Sequence, residues 1–175
     1  MTTNITELKN RVSDGGCITE SEALELYDSP LEELCDAANE IRKHFCKNDF
    51  DICAIINGKS GKCSENCKYC AQSSYYSACP EEYPLLDTDT VIKQARYNAE
   101  NGILRYSIVT SGRRLSDFET DQMCDTIRKL KKSVNISVCV SFGLLDEKQF
   151  AKLKDAGVSR VHNNIETSER NFPNI

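Results

Sequence analysis

The spacing of the hydrophobic positions changes near residue 50, and the change predicts two regions of different structure. Before it, Leu34, Ala38, Ile41 and Phe45 recur at helical intervals. Thr19 and Glu22 have the spacing of a capping box that opens an earlier helix. The first fifty residues are therefore expected to form a helical segment.

After residue 50, short apolar runs alternate with longer amphipathic segments. The predicted strands are 52–57, 104–110, 136–141 and 158–163, and the predicted helices are 87–101, 118–133 and 146–156. The first is a short apolar run typical of a buried strand. Strands that alternate with helices in this way form a parallel sheet. The predicted fold class is α/β: a partial TIM-type (β/α) barrel of about four βα units with a helical N-terminal lead-in.

The predicted domains are a helical N-terminal segment, 1–50, and a partial barrel, 51–175. A complete barrel typically needs about 250 residues, whereas this chain has 175 and offers no helix to cover its last predicted strand. The pattern is thus that of a larger enzyme's N-terminal portion, truncated at the C-terminus. Whether such a portion is active alone is a separate question.

Charge and hydropathy exclude several classes of partner. The formal net charge is −5, which disfavours nucleic acid and anionic membranes as general partners. The N-terminus lacks the apolar segment of a secretory signal, and no stretch is apolar for long enough to span a bilayer. A cytoplasmic location is expected.

Cysteine is abundant, with ten residues against only two histidines. In a chain without a secretory signal, a disulfide framework is not expected, and thiols used for metal or redox chemistry explain the count better. Zinc catalysis based on histidine has almost no ligands here.

Three of the cysteines, Cys63, Cys67 and Cys70, have the spacing C-x3-C-x2-C within a polar, glycine-containing loop at 58–74. An iron–sulfur cube normally takes four thiolates, so three leave one iron open to an external ligand. Two alternatives remain: three cysteines on one helix face, or a four-thiolate zinc site completed by Cys79. The loop follows the first predicted strand and therefore lies at the carboxyl edge of the sheet, where active sites of such folds gather.

With Tyr69 in its aromatic position, this motif resembles the one that defines the radical S-adenosylmethionine superfamily. The longer string 57–73 is similar to the biotin synthase family within it. So are the segments 34–38, 108–113 and 162–168, and the resemblance extends from about residue 20 to the end.

The resemblance implies that Cys63, Cys67 and Cys70 hold a [4Fe–4S] cluster whose open iron binds S-adenosylmethionine. Reductive cleavage would give a 5′-deoxyadenosyl radical that removes hydrogen from dethiobiotin, and an auxiliary iron–sulfur cluster would supply the sulfur that makes biotin. The cofactor carries the difficult chemistry. A reducing donor such as flavodoxin or ferredoxin and, for the full-length protein, a homodimer are implied as partners.

The resemblance also assigns roles to single residues. Tyr69 would contact the adenine, Glu166 the ribose hydroxyls and Asn164 the substrate, while Cys139 would be a ligand of the auxiliary cluster. From the pattern alone, Asn164 and Glu166 are equally compatible with a polar strand end, and Cys139 with an ordinary core residue.

Three positions depart from the family pattern. Asn66 stands where the family usually has aspartate, and Val161 where it has an aromatic residue. Ser107 occupies the place of a cysteine that ligates the auxiliary cluster, so the familiar [2Fe–2S] site cannot be built from this chain alone. A second cluster of another kind or a different sulfur donor would be needed.

Other functions stay open at this point. Within the superfamily, the radical maturase of iron-only hydrogenase and methylornithine synthase are the nearest rivals. Outside enzymes, the chain could be an inactive fragment that only binds a cluster, or a structural zinc protein.

Overall fold

The computed structural model describes residues 4–78 and 80–175. They divide into two compact units, Met1–Phe50 and Asp51–Ile175. The first is helical and the second contains a β-sheet covered by helices.

The helical unit consists of α1 (Ile5–Ser13), α2 (Glu20–Leu26) and α3 (Leu31–Cys46). The capping box predicted for Thr19 and Glu22 is present at the start of α2. Leu8 is the buried hydrophobic side chain of this unit, and α3 has no fully buried residue in the part of the chain described. An open apolar groove of about 430 Å³ lies between the helices. The unit therefore has little core of its own.

The second unit is built from four strands and three helices in alternation: β1 (Cys53–Lys59), α4 (Thr88–Glu100), β2 (Arg105–Thr110), α5 (Asp117–Ser133), β3 (Ser137–Ser141), α6 (Glu147–Ala156) and β4 (Val158–Val161). The strands pair in parallel in the order β1-β2-β3-β4. Each strand thus lies beside the one that precedes it in the chain, as in successive units of a (β/α) barrel. The predicted α/β class, a partial barrel, is confirmed, with four parallel strands and three helices between them.

Local sequence signals fix where the helices begin and end. Ser116 with Glu119 forms a capping box for α5, and Asp146 with Gln149 forms one for α6. Gly157 ends α6 with φ +104°, a conformation that only glycine adopts without strain.

The two faces of the sheet have different environments. On the outer face, Tyr106, Ile108, Val138 and Val140 are completely buried against the helices. The inner face is open, and Ile55 on β1 is 66% exposed. The expectation that the first strand is buried is therefore wrong for its inner face, because helices cover one face only.

Among the residues described, no helix is both long and apolar enough to cross a membrane. After β4 the chain continues into a short 3₁₀ turn, Phe172–Asn174.

Candidate functional site

The three-cysteine loop follows β1 at the carboxyl edge of the sheet, as the sequence predicts. The turn into the loop uses two consecutive residues with positive φ, Gly61 at +79° and Lys62 at +52°. A Cβ atom on Gly61 would stand 2.6 Å from Cγ of Glu82, so glycine is required for space as well as for conformation. Ser60 and Tyr83 exchange two backbone hydrogen bonds that hold this turn against the next segment.

Gln72 joins the two ends of the loop. Its side-chain oxygen accepts hydrogen bonds from the Gly61 N–H at 2.5 Å and from the Ser60 hydroxyl at 3.2 Å. Its backbone carbonyl accepts from the Cys63 N–H at 3.0 Å. One residue therefore fixes the strand end and the first cysteine relative to each other. No local pattern in the sequence assigns this role to Gln72.

Each cysteine of the loop has a defined position. Cys63 is buried, and its carbonyl accepts from the N–H and the hydroxyl of Ser74. Cys67 and Cys70 are half-buried. The Cys70 N–H donates to the Cys67 carbonyl at 3.0 Å, which closes a tight turn around Lys68 and Tyr69. The trio lies on one irregular loop and not on a helix face, so the first alternative is excluded.

The spacing of these thiols matters for the metal they could hold. Within the described part of the chain, no three Cys, His, Asp or Glu side chains converge closely enough for a single metal ion. A mononuclear zinc site requires such convergence, whereas a [4Fe–4S] cube spreads its thiolates over separate irons. Cys79, the fourth ligand of the zinc alternative, lies outside the described residues. Three thiols on one loop are the donor set of a [4Fe–4S] cluster with one open iron.

The charge of Glu166 acts on Tyr69 although the two residues are far apart in the sequence. Tyr69 is more than half exposed. The pKa of its hydroxyl is raised, first by desolvation, then by the negative charges of Glu166 and of the neighbouring cysteines. Glu166 has φ +69°, an unusual backbone conformation for a residue with a side chain. Asn164 is exposed in the same segment after β4.

The loop after β2 also contacts the cysteine loop. The buried Ser111 hydroxyl donates to the Gly61 carbonyl at 2.8 Å. Arg113 lies 3.7 Å from the Glu65 carboxylate, an exposed pair that contributes little to stability. These residues were not predicted as site residues, although the loop that carries them was part of the resemblance.

Cys139 lies apart from the trio, on the inner face of β3. It is paired in register with Ser107 of β2. Together with Cys53 of β1 and Arg160 of β4, these residues line a cavity of about 360 Å³. Burial raises the pKa of the Cys139 thiol, and the nearby Cys53 acts in the same direction. Cys53 is a second inner-face thiol that the sequence pattern does not single out, because a cysteine in an apolar run has no distinguishing signal.

Known proteins similar to this chain agree with the chemistry of the loop. Residues 59–175 match the Radical SAM superfamily. Biotin synthase from Akkermansia muciniphila is 58% identical over 96% of this chain, which spans 52% of that protein. Biotin synthase from Brachyspira hyodysenteriae is 53% identical over 97% of this chain, which spans 50% of that protein. The chain thus corresponds to about half the length of these curated relatives, their N-terminal portion.

Solved structures with low sequence identity share the fold. The crystal structure of methylornithine synthase superposes with a TM-score of 0.70 at 18% identity, covering 88% of this chain and 46% of that one. HydG, a maturase of the [FeFe]-hydrogenase, gives 0.66 at 20% identity, covering 90% of this chain and 36% of that one. At such identities the likeness concerns the fold alone. The match over two thirds of the sequence, which includes the three-cysteine loop, shows that this chain belongs to the radical S-adenosylmethionine superfamily.

Proposed function

We propose that this chain is the S-adenosylmethionine-cleaving portion of a biotin synthase. The observation that carries the proposal is the three-cysteine loop, held at the carboxyl edge of a parallel sheet in a sequence 58% identical to a biotin synthase. The low-identity likeness to methylornithine synthase and HydG does not favour their reactions, because it extends to the fold only.

In this proposal Cys63, Cys67 and Cys70 hold a [4Fe–4S] cluster, which when bound supplies the electron that splits S-adenosylmethionine into methionine and a 5′-deoxyadenosyl radical. The loop gives these thiols a fixed frame, since Gln72, Ser73 and Ser74 already satisfy the backbone around them. Tyr69 would lie against the adenine. Glu166, whose carboxylate accepts hydrogen bonds, would receive the ribose hydroxyls.

Dethiobiotin is the proposed substrate, with Asn164 as one of its contacts. A small reducing protein such as flavodoxin or ferredoxin is the proposed electron donor, and the complete protein is proposed to be a homodimer. These assignments rest on similarity to biotin synthases that are about twice as long as this chain.

The auxiliary cluster that would deliver sulfur needs ligands on the inner face of the sheet. Cys139 and Cys53 offer two thiols on the walls of one cavity, and Arg160 lies beside them. Ser107 lies between the two cysteine-bearing strands and offers a hydroxyl in place of a thiol. The residues present fit a cluster ligated by Cys53 and Cys139 together with groups from elsewhere, and do not fit the arrangement that uses a thiol at position 107.

The first test is anaerobic reconstitution of the chain with iron and sulfide, followed by metal analysis and 5′-deoxyadenosine measurement with dithionite as reductant. To report on the trio alone, the experiment uses a background in which Cys53 and Cys139 are both replaced by serine. We expect about four irons per chain and reductive cleavage of S-adenosylmethionine.

Cys67→Ser should abolish cleavage, since a hydroxyl is a poor iron ligand in place of a thiolate. Cys46→Ser, which changes an exposed cysteine of the helical unit, is the matched control and should behave like the parent. One zinc per chain, or cleavage that survives Cys67→Ser, would contradict the proposal. Dethiobiotin-dependent formation of 5′-deoxyadenosine by the complete protein would then test the substrate.

A further inference from the structure

Lys68 connects the cysteine loop to the segment that follows β4. It lies between Cys67 and Tyr69, and its backbone N–H donates to the Ile175 carbonyl at 3.0 Å. Its side-chain Nζ donates to the Asn174 carbonyl at 2.6 Å, across 106 positions of sequence. One residue of the cysteine loop thus makes both of these hydrogen bonds to the distant 3₁₀ turn.

The segment that receives Lys68 is itself cross-linked by side-chain amides. We call residues 167–175 the brace. Within it, Asn174 Nδ2 donates to Asn171 Oδ1 at 3.3 Å, and Asn171 Nδ2 donates to the Thr167 hydroxyl at 3.0 Å. Thr167 directly follows Glu166. The brace therefore transmits the position of Lys68 to the residue beside Glu166.

This series of contacts ends at Glu166. The charge of Glu166 acts on the Tyr69 hydroxyl in the cysteine loop. Its backbone is held at φ +69°, a strained conformation for a non-glycine residue that persists only where surrounding contacts impose it. Lys68, the brace and Glu166 are thus linked by hydrogen bonds and covalent bonds.

We propose that Lys68 is a positioning residue: through the brace it fixes the backbone of Glu166 and thereby sets the affinity for S-adenosylmethionine. The inference rests on the proposed function, because it assumes that Glu166 and Tyr69 contact that molecule. Lys68 acts through other residues and is not a ligand of the cluster. Its ammonium suits the task because it has donors only, and a charged donor makes a stronger hydrogen bond to a carbonyl than a neutral one does.

The test compares Lys68→Ala with Lys68→Arg in the reconstituted chain. The apparent Kd for S-adenosylmethionine is read from the change that it causes in the electron paramagnetic resonance spectrum of the reduced cluster. Lys68→Ala should raise this Kd about tenfold, the equivalent of one charge-assisted hydrogen bond, with iron and sulfide content unchanged. Lys68→Arg should recover most of the affinity, since the guanidinium also donates to a carbonyl.

Two further variants separate positioning from general effects. Lys152→Ala removes the charge of a lysine on α6, outside the cysteine loop, whose Nζ lies 2.6 Å from the Asp121 carboxylate, and it should leave the Kd unchanged. Asn171→Ala breaks the brace without touching the cysteine loop and should weaken binding in the same direction. In the double variant that combines Asn171→Ala with Lys68→Ala, the weakening of binding should be smaller than the sum of the two single effects, because both substitutions break the same series of hydrogen bonds.

The outcomes distinguish this inference from the function on which it rests. A parent protein whose reduced cluster does not respond to S-adenosylmethionine overturns the proposed function, and the inference with it. A parent that responds, with Lys68→Ala binding equally well, overturns the inference alone. Loss of iron from Lys68→Ala would also overturn it, since Lys68 would then support the cluster itself. If Lys68→Ala does not fold, an Asn171→Ala variant with unchanged Kd overturns the inference instead.

Discussion

The two faces of the β-sheet differ in composition. The outer face stabilises the fold, whereas the inner face carries groups that could bind a ligand. On the outer face, Ile108 and Val140 are completely buried among helices, and apolar side chains fill the space. On the inner face, Cys53, Ser107 and Arg160 line an open cavity. The outer face can be explained by the hydrophobic effect alone. The inner face carries thiol, hydroxyl and guanidinium groups suited to binding, beside the apolar side chains of Ile55 and Val161.

The comparison is tested most directly by truncating one isoleucine side chain on each face. Ile108→Ala should lower the free energy of unfolding of this chain by about 3 kcal/mol, because it removes buried carbons and leaves a cavity. Ile55→Ala, the same change on the exposed face of the neighbouring strand, should alter it by no more than about 0.5 kcal/mol. Urea unfolding followed by circular dichroism measures both. Equal losses would show that the inner face also belongs to the stabilising core.

A second test asks whether the loops at the carboxyl edge of the sheet are as rigid as its buried outer face. Gly143, after β3, has φ +76°, and a Cβ atom there would overlap the Arg113 carbonyl. Gly143→Ala should therefore lower the free energy of unfolding by about 2 kcal/mol or more, because backbone strain and the steric clash add together. Gly102 has φ +79° with nothing within 4 Å of the added atom, so Gly102→Ala should cost only about 1 kcal/mol. If both variants lose the same free energy of unfolding, the backbone of the carboxyl-edge loop adjusts easily to an added Cβ atom and is not a rigid frame.

The smallest expected effect concerns the ion pair between Lys59 and Glu119, which joins the end of β1 to α5 at 2.6 Å. Partial burial alone would raise the pKa of Glu119, but hydrogen bonds from Lys59 and Ser116 outweigh it and the pKa is lowered. A carboxylate with a lowered pKa adds stability above its unfolded pKa of about 4.3, and this stability is lost as the pH falls through the folded value.

Glu119→Gln keeps a capping oxygen but removes the charge. It should destabilise the chain by about 1 kcal/mol at pH 7, and the difference from the parent should shrink as the pH falls below about 4. Thermal melts at several pH values measure this difference. Glu147→Gln, a change in the first turn of α6, is the control and should give a smaller one. A Glu119→Gln effect that does not depend on pH would show that the ion pair contributes nothing.

Much of the outer face could be predicted from the sequence, and much of the inner face could not. The positions of β2, β3 and α6 follow from apolar runs bounded by caps such as Asp146 and Gly157, which act locally. An apolar run does not reveal how many faces of a strand are covered, so the exposure of Ile55 could not be predicted. The contacts of Lys68 join residues more than a hundred positions apart, and no local pattern encodes them.

The same holds for the candidate site. The spacing of Cys63, Cys67 and Cys70 is a local property that the sequence displays, and the structure places all three in one loop. Their assignment as cluster ligands remains a prediction, as do the roles of Tyr69 and Glu166. Gln72 holds the loop together because its side-chain oxygen accepts a hydrogen bond from the Gly61 N–H. This contact depends on how the chain folds, so the sequence does not reveal it.

The hydrogen bonds between Lys68 and the 3₁₀ turn have a consequence for the order of biosynthesis. Translation proceeds from the N-terminus, so all three thiols of the loop are synthesised about a hundred residues before Asn174 and Ile175. A nascent chain therefore carries these thiols before it has the segment that later anchors their loop. The proposed cluster would therefore reach its anchored geometry only after that segment has been synthesised.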